Sequence, residues 1–255
     1  MSGVAAQTVP DAGRAGTASF PGQSTLPTQA QVLAQARHEN FPVALWLLGP
    51  RLRRQLLAIY GFARLVDDIG DEAEGDRLKL LDQIESELDV PVHPVMVTLA
   101  ATITEAKLPR GPFLALIAAN RQDQVVSSYD SFEQLRDYCQ LSAAPVGQLV
   151  LHLLGAATPE RIALSDRVCA ALQVIEHLQD VDEDAARGRT YIGRFDAHAH
   201  ARELLAAGPA LTRSLRGRGR LAVAGFMAGG RVALDRLEGR HARFAPAYLK
   251  ALAGR

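Results

Sequence analysis

Two pairs of aspartates, more than a hundred residues apart, stand in nearly the same helical setting, and they constrain this chain more than any other feature. The first is Asp67 and Asp71 in YGFARLVDDIGDE; the second is Asp180 and Asp184 in QVIEHLQDVDEDAARGRTYI. A spacing of four puts both members of a pair on one face of an α-helix, one turn apart. Like charges so placed destabilise an isolated helix, so each pair calls for a compensating cation. A hard divalent ion fits, because Mg²⁺ takes oxygen ligands, keeps several waters and bridges one or two carboxylates to substrate phosphates. Two such helices facing each other would hold several ions around one diphosphate.

The neighbours sharpen the pattern. Tyr60, Arg64, Asp67 and Asp71 follow i, i+4, i+7, i+11, while Asp68 and Glu72 fall about 100° to one side. Leu57, Ile59, Phe62, Leu65, Val66 and Ile69 surround the stripe with apolar side chains. Gln173, Glu176 or His177, Asp180 and Asp184 repeat it, flanked by Val174, Ile175, Leu178 and Val181. Arg187, Arg189 and Tyr191 follow directly, and arginine suits bidentate phosphate contacts. Simpler roles exist for these cations: Arg64 pairing locally with Asp67 or Asp68, and Arg187 and Arg189 favouring the negative end of their own helix.

Composition limits the alternatives. The 255 residues carry 28 basic and 28 acidic side chains, so no global field draws the chain onto nucleic acid. Cys139 and Cys169 are too few for a disulfide framework; they suit a reduced, cytoplasmic setting and read as packing residues. Residues 1–28, rich in Gly, Ala, Ser, Thr and Pro, read as a disordered tail that is neither signal peptide nor anchor. The longest stretch without Asp, Glu, Lys or Arg, Tyr138 to Pro159, is interrupted by Gln140, Ser142, Pro145, Gly147, Gln148 and His152. It reads as a buried helix, and no transmembrane segment is expected.

Helical spacing dominates and alternating strand patterns are scarce. Helices are expected over roughly 29–39, 50–71, 75–88, 93–106, 111–128, 131–153, 159–186, 196–206 and 219–238, with breaks at Pro and Gly clusters. The expectation is one all-α domain, residues 29–255, of eight to ten helices.

The two acidic segments resemble the aspartate-rich motifs of the squalene/phytoene synthase family. HENFPVA at 38–44, Tyr138-Cys139 with SAAPVG at 142–147, and Leu149 to Leu153 look like its bacterial hydroxysqualene synthase branch, which serves the hopanoid and squalene route. The resemblance runs from residue 33 to about 245. It implies an isoprenoid synthase bundle with a central cavity between facing acidic helices. It also implies Mg²⁺ held by Asp67, Asp71, Asp180 and Asp184, and diphosphate met by Arg64, Arg189 and Tyr191. Tyr60, Tyr138, Gly147, Gln173 and Glu176 would complete the substrate pocket. In that branch presqualene diphosphate loses diphosphate and water captures the carbocation, with no nicotinamide. Two other activities fit the same motifs: head-to-head condensation of two prenyl diphosphates, and a non-catalytic binding or assembly role. A peripheral contact at the inner membrane face and a neighbouring enzyme supplying presqualene diphosphate are further implications.

Some positions depart from the family pattern. Family members often carry Asn where this chain has Glu176, basic residues near Val126 and Ser128, and, in many squalene and phytoene synthases, Arg where it has Gln179. Ala143, Ala144, Val146, Gly147, Val150, Leu151 and Leu154 would either line an apolar isoprenoid space or serve ordinary helix packing. His198 and His200 diverge on a helix and read as a solvated turn. Arg213, Arg216, Arg218 and Arg220 form a basic loop that is either solvated or set against anionic lipid headgroups.

Overall fold

A computed structural model describes Leu26 and residues 49–254. The 38–44 segment, the helix expected at 29–39 and all of the 1–28 tail but Leu26 lie outside these residues. Twelve helices are described and no strand: α1 Gly49–Asp71, α2 Arg77–Ser86, α3 Pro94–Ala106, α4 Gly111–Gln122, α5 Phe132–Ser142, α6 Ala144–Leu153, α7 Pro159–Gln179, α8 Val181–Ala186, α9 Ala197–Leu205, α10 Gly208–Ser214, α11 Gly217–Leu237 and α12 Phe244–Leu252.

Helix starts follow local chemistry. Asp76, Ser131, Thr158 and Asp196 each accept a backbone N–H of the first turn of α2, α5, α7 and α9. Proline opens α3, α4, α6, α7 and α10, where its missing N–H costs nothing. Three expectations are corrected here. The helix expected at 131–153 is divided at Ala143 into α5 and α6, two residues before Pro145. The helix expected at 159–186 is interrupted at Asp180, whose φ of −105° and ψ of 19° leave helical geometry. The break expected at Gly208-Pro209 is present, with α9 ending at Leu205, but it also opens α10, and α10 and α12 are helices beyond the expected set.

Two cores hold these helices. Phe62, Leu65, Ile69, Leu81, Ile84, Met96, Leu99, Phe113 and Ile117 join α1 to α4, with Phe62 edge-on to Phe113 at 5.2 Å between ring centroids. Leu135, Cys139, Ala170, Val174, Ala201, Leu211 and Met227 join α5, α7 and α9 to α11. Between them lies α6. Its Leu149 enters the first core and its Leu151 the second, since residues two apart point to opposite sides of a helix. Helix α1 packs on α2, α3, α4 and α6, and α7 packs on α5, α6 and α9 to α11. The acidic helices are therefore not packed along each other: they share α6, and a small cluster of Leu56 with Ala222 also ties α1 to α11, another neighbour of α7.

Arginines fasten the ends. Arg77 donates to the carbonyls of Gly70, Asp71 and Ala73 at 2.9–3.0 Å, closing the C-terminus of α1 where the helix dipole is negative. Arg121 ties α4 to Asp82 and Glu85 of α2, at 2.5 Å each. In the basic loop, Arg213 donates to the Gly254 carbonyl and Arg220 to that of Leu252 at 2.7 Å, so two of the four arginines cap α12. His200 stacks on Phe132 at 3.7 Å and His198 lies 3.8 Å from Glu238, so neither is set at a metal centre. Among the described residues no helix is long and apolar enough to cross a membrane.

Gly147 marks the tightest approach of α6 to α7. A Cβ there would lie 2.5 Å from both Ser165 Oγ and Cys169 Sγ. Gly147→Ala is expected to cost about 1–3 kcal/mol through overpacking, offset by at most about 1 kcal/mol of helix propensity. Denaturant unfolding would measure the net loss of stability.

Candidate active site

Helix α1 brings its acids beside Asn120 of α4, Glu176 of α7 and Arg189 of the turn after α8. Asp67 is open to solvent by surface, yet protein atoms crowd its carboxylate on most sides, as at the floor of a cleft. Burial pushes its carboxyl up to about 7; an Asn120 hydrogen bond and Arg64 pull it partly back, while Asp71 and Glu176 push it further. Asn120 Nδ2 donates to Asp67 Oδ1 at 3.0 Å. Gly70 makes that approach possible, since a Cβ there would lie 2.1 Å from Asn120 Oδ1. Asp71 pairs with Arg189 Nη1 at 2.5 Å, across 118 residues of sequence. Arg64 takes the local role: it pairs with buried Asp68 at 2.6 Å and with Glu72 at 3.5 Å. Tyr60 is half-buried two turns before Asp67 on the same face.

The other wall is α7 with the short α8. Asp180 stands at the break between them, its carboxyl raised first by burial and then by the charges of Glu183 and Asp184. Backbone bonds from Asp180 N to Glu176 O and from Asp184 N to Asp180 O carry the i→i−4 pattern across the break. Asp184 is buried and its Oδ2 lies 3.2 Å from His177 Nδ1. His177 Nε2 is 3.3 Å from Gln173 Nε2. Glu176 is exposed, and its charge reaches Asp67 on the opposite wall. Arg187 is exposed, and Val126 and Ser128 place no cation along the neighbouring loop.

An aromatic cluster closes one end. Tyr138 and Tyr191 donate to the two oxygens of Asp123, at 2.7 and 3.0 Å, and Gln122 donates to Tyr129 Oη at 3.0 Å. Burial raises the Asp123 carboxyl, and the two phenols and Arg189 oppose it. Tyr191 stacks on His177 at 3.8 Å and on Tyr129 at 5.8 Å. The turn that carries Arg189 and Tyr191 is pinned by Thr190 N to Ser127 O at 2.7 Å, the only β-bridge among the described residues.

Asp67, Asp71, Asp180, Asp184, Tyr138, Gln173, Glu176, Arg189 and Tyr191 thus belong to one neighbourhood, with Arg64 held at its edge. Gly147 stands apart, since its open side faces Ser165 and Cys169. Ala143, Ala144 and Leu151 are buried, Val146 packs on the first core, and Val150 and Leu154 pack beside Leu56 and Ala222. Packing accounts for these residues. Asn120, Asp123 and Tyr129 were not singled out by the motifs. The polar run 120–123 ending an otherwise apolar helix was the available signal, with Asn120 and Asp123 three apart on one face.

Among the described residues no three His, Cys, Asp or Glu side chains converge to hold a metal unaided. The donor set nevertheless suits Mg²⁺, which needs only one or two carboxylates alongside water and phosphate oxygens. Burial first, and then the charges of Asp71 and Glu176, disfavour an ionised Asp67, a setting that a bound cation would offset.

A consequence is testable by pH. A carboxyl raised in the folded state binds its proton where the unfolded chain, with an ordinary value of about 4, has released it. Stability contributed by that proton is present at low pH and declines from about pH 4 up to about 7. Melting of Asp67→Asn is expected to lack this decline, and Mg²⁺ is expected to restore wild-type stability near neutral pH. Thermal melts across pH, with and without Mg²⁺, measure both.

The squalene/phytoene synthase family model matches residues 34–200. A hydroxysqualene synthase of Rhodopseudomonas palustris is 38% identical over 192 residues, covering 71% of this chain and 65% of that protein. One of Sinorhizobium fredii is 38% identical over 167 residues, covering 63% and 57%. The matches thus span less than two thirds of either relative. A crystal structure of a squalene synthase from Alicyclobacillus acidocaldarius superposes with a TM-score of 0.76 at 36% identity, covering 81% of this chain and 90% of that one.

Proposed function

Because this chain belongs to the squalene/phytoene synthase family, we propose that it removes diphosphate from presqualene diphosphate and lets water capture the resulting carbocation as hydroxysqualene. The observation that carries this reading is that the two acidic segments are brought together across the sequence: Arg189 holds Asp71, and Glu176 acts on Asp67. The relatives named hydroxysqualene synthase support it.

Asp67, Asp71, Asp180 and Asp184 would hold Mg²⁺. When bound, the metal supplies charge stabilisation to the departing diphosphate, worth several kcal/mol. Arg189, already between Asp71 and the second acidic segment, is placed to exchange its carboxylate for a phosphate oxygen. Loss of the C–O bond leaves the electron pair on diphosphate and a cation on carbon. The packed rings of Tyr138, Tyr191 and Tyr129 form a dry aromatic wall at that end of the site, which would keep bulk water from the cation. Asp123 fixes two of those rings by accepting both hydroxyls. A bond of the substrate's cyclopropane ring breaks as water forms the new C–O bond, and water's proton passes to solvent, so the products are hydroxysqualene and diphosphate. The isoprenoid substrate suits a peripheral membrane contact, and a separate prenyl-transfer enzyme would supply presqualene diphosphate.

Product analysis by mass spectrometry tests the proposal. Protein with Mg²⁺ is expected to form hydroxysqualene from presqualene diphosphate and nothing from farnesyl diphosphate. A condensation product from farnesyl diphosphate would instead assign head-to-head synthesis, and silence with both would assign a non-catalytic role. Asp67→Asn and Asp180→Asn are each expected to lower turnover by several orders of magnitude at unchanged helical content, read by circular dichroism. Near-normal turnover by either variant would remove it from the ligand set.

A further inference from the structure

Of the four aspartates, Asp184 stands on the shortest helix and is the most buried. Helix α8 has six residues, and all of them but Asp184 are exposed. A helix so short, with so little surface against the body, does not fix a side chain by packing alone. What reaches the Asp184 side chain is His177, two turns earlier on α7 and beyond the break at Asp180.

The His177 ring is itself locked on three sides. It is 7% exposed, it stacks on Tyr191 at 3.8 Å and 13° between planes, and both nitrogens are engaged. A carboxylate has no hydrogen to give, so Nδ1 carries the N–H that points to Asp184 Oδ2. Nε2 is left as an acceptor, and the amide of Gln173 donates to it. One tautomer satisfies both contacts. The arrangement occupies one Asp184 oxygen and leaves the other available. Outer hydrogen bonds of this kind orient carboxylate ligands and change metal affinity by about 10- to 100-fold when removed.

From this geometry we infer that His177 is a positioning residue for Asp184: its Nδ1–H sets the carboxylate in place to receive Mg²⁺ with diphosphate. The inference rests on the function proposed above. His177 touches no substrate in this role, and Tyr191 serves as the plate against which its ring is held.

The test is calorimetric titration of Mg²⁺ into the full chain in the presence of inorganic diphosphate, with melting temperature recorded without Mg²⁺. His177→Phe keeps a stacking ring and deletes the donor; it is expected to weaken Mg²⁺ binding by about tenfold or more. His177→Asn places an amide N–H near the Nδ1 position and is expected to recover most of the binding. His177→Gln places it near Nε2 and is expected to behave like His177→Phe. The Asn and Gln variants are close in size and polarity, so their difference decides the matter even if His177→Phe melts early. Wild-type affinity in the Phe or Gln variant, or equal losses in Asn and Gln, would overturn the positioning role and leave the proposed function standing. Absence of Mg²⁺ binding by the wild-type protein would overturn both.

Discussion

Everything in this molecule is arranged around carboxylates that confront one another across a gap. Two like charges about 4 Å apart repel by about 4 kcal/mol at an effective dielectric of about 20, a large share of the 5–15 kcal/mol that stabilises a typical domain. Asp67, Asp71, Glu176, Asp180 and Asp184 can share a neighbourhood only because the scaffold forces them together and cations intervene. The force comes from two apolar cores with α6 between them. Arg189 pairs with Asp71, while the charges of Arg64 and Arg187 act on Asp67 and Asp180.

The arginines divide by what they neutralise. Arg77, Arg213 and Arg220 meet backbone carbonyls at helix ends, where partial charges need a donor more than a full counter-ion. Arg121 is spent on Asp82 and Glu85, on the face of α4 away from Asn120 and Asp123. Arg64 is held by Asp68 and Glu72. At Asp67, Asp123 and Asp180 burial raises the carboxyl first, and the charges of Arg64, Arg189 and Arg187 respectively pull it only partly back.

Much of this was legible in the sequence, and the rest has identifiable reasons for being hidden. Helix α1 was readable nearly to the residue because its apolar positions and its acidic stripe share one period. The break at Asp180 was not, since the backbone bonds on either side keep the helical pattern and no Pro or Gly marks the place. The break at Ala143 had a visible cause in Pro145, but that proline could equally have sat in a first turn, as it does. Asn120 and Asp123 became partners of Asp67, Tyr138 and Tyr191 only through contacts 15 to 68 residues away, which periodicity does not encode. Gly147 was read toward a pocket, whereas its closest neighbours belong to α7. Local rules recovered the elements; the connections between them required the third dimension.

Helix α6 has one more consequence. Because Leu149 and Leu151 root it in both cores, α6 joins the two acidic walls, and α11 adds a second tie where Ala222 packs beside Leu56. In the proposed reaction, passage of a long, water-averse molecule would then fall to small parts of the site, such as α8 and the turn carrying Arg189. The pace of exit would then be set by local loosening of those parts, with the body of the protein standing still.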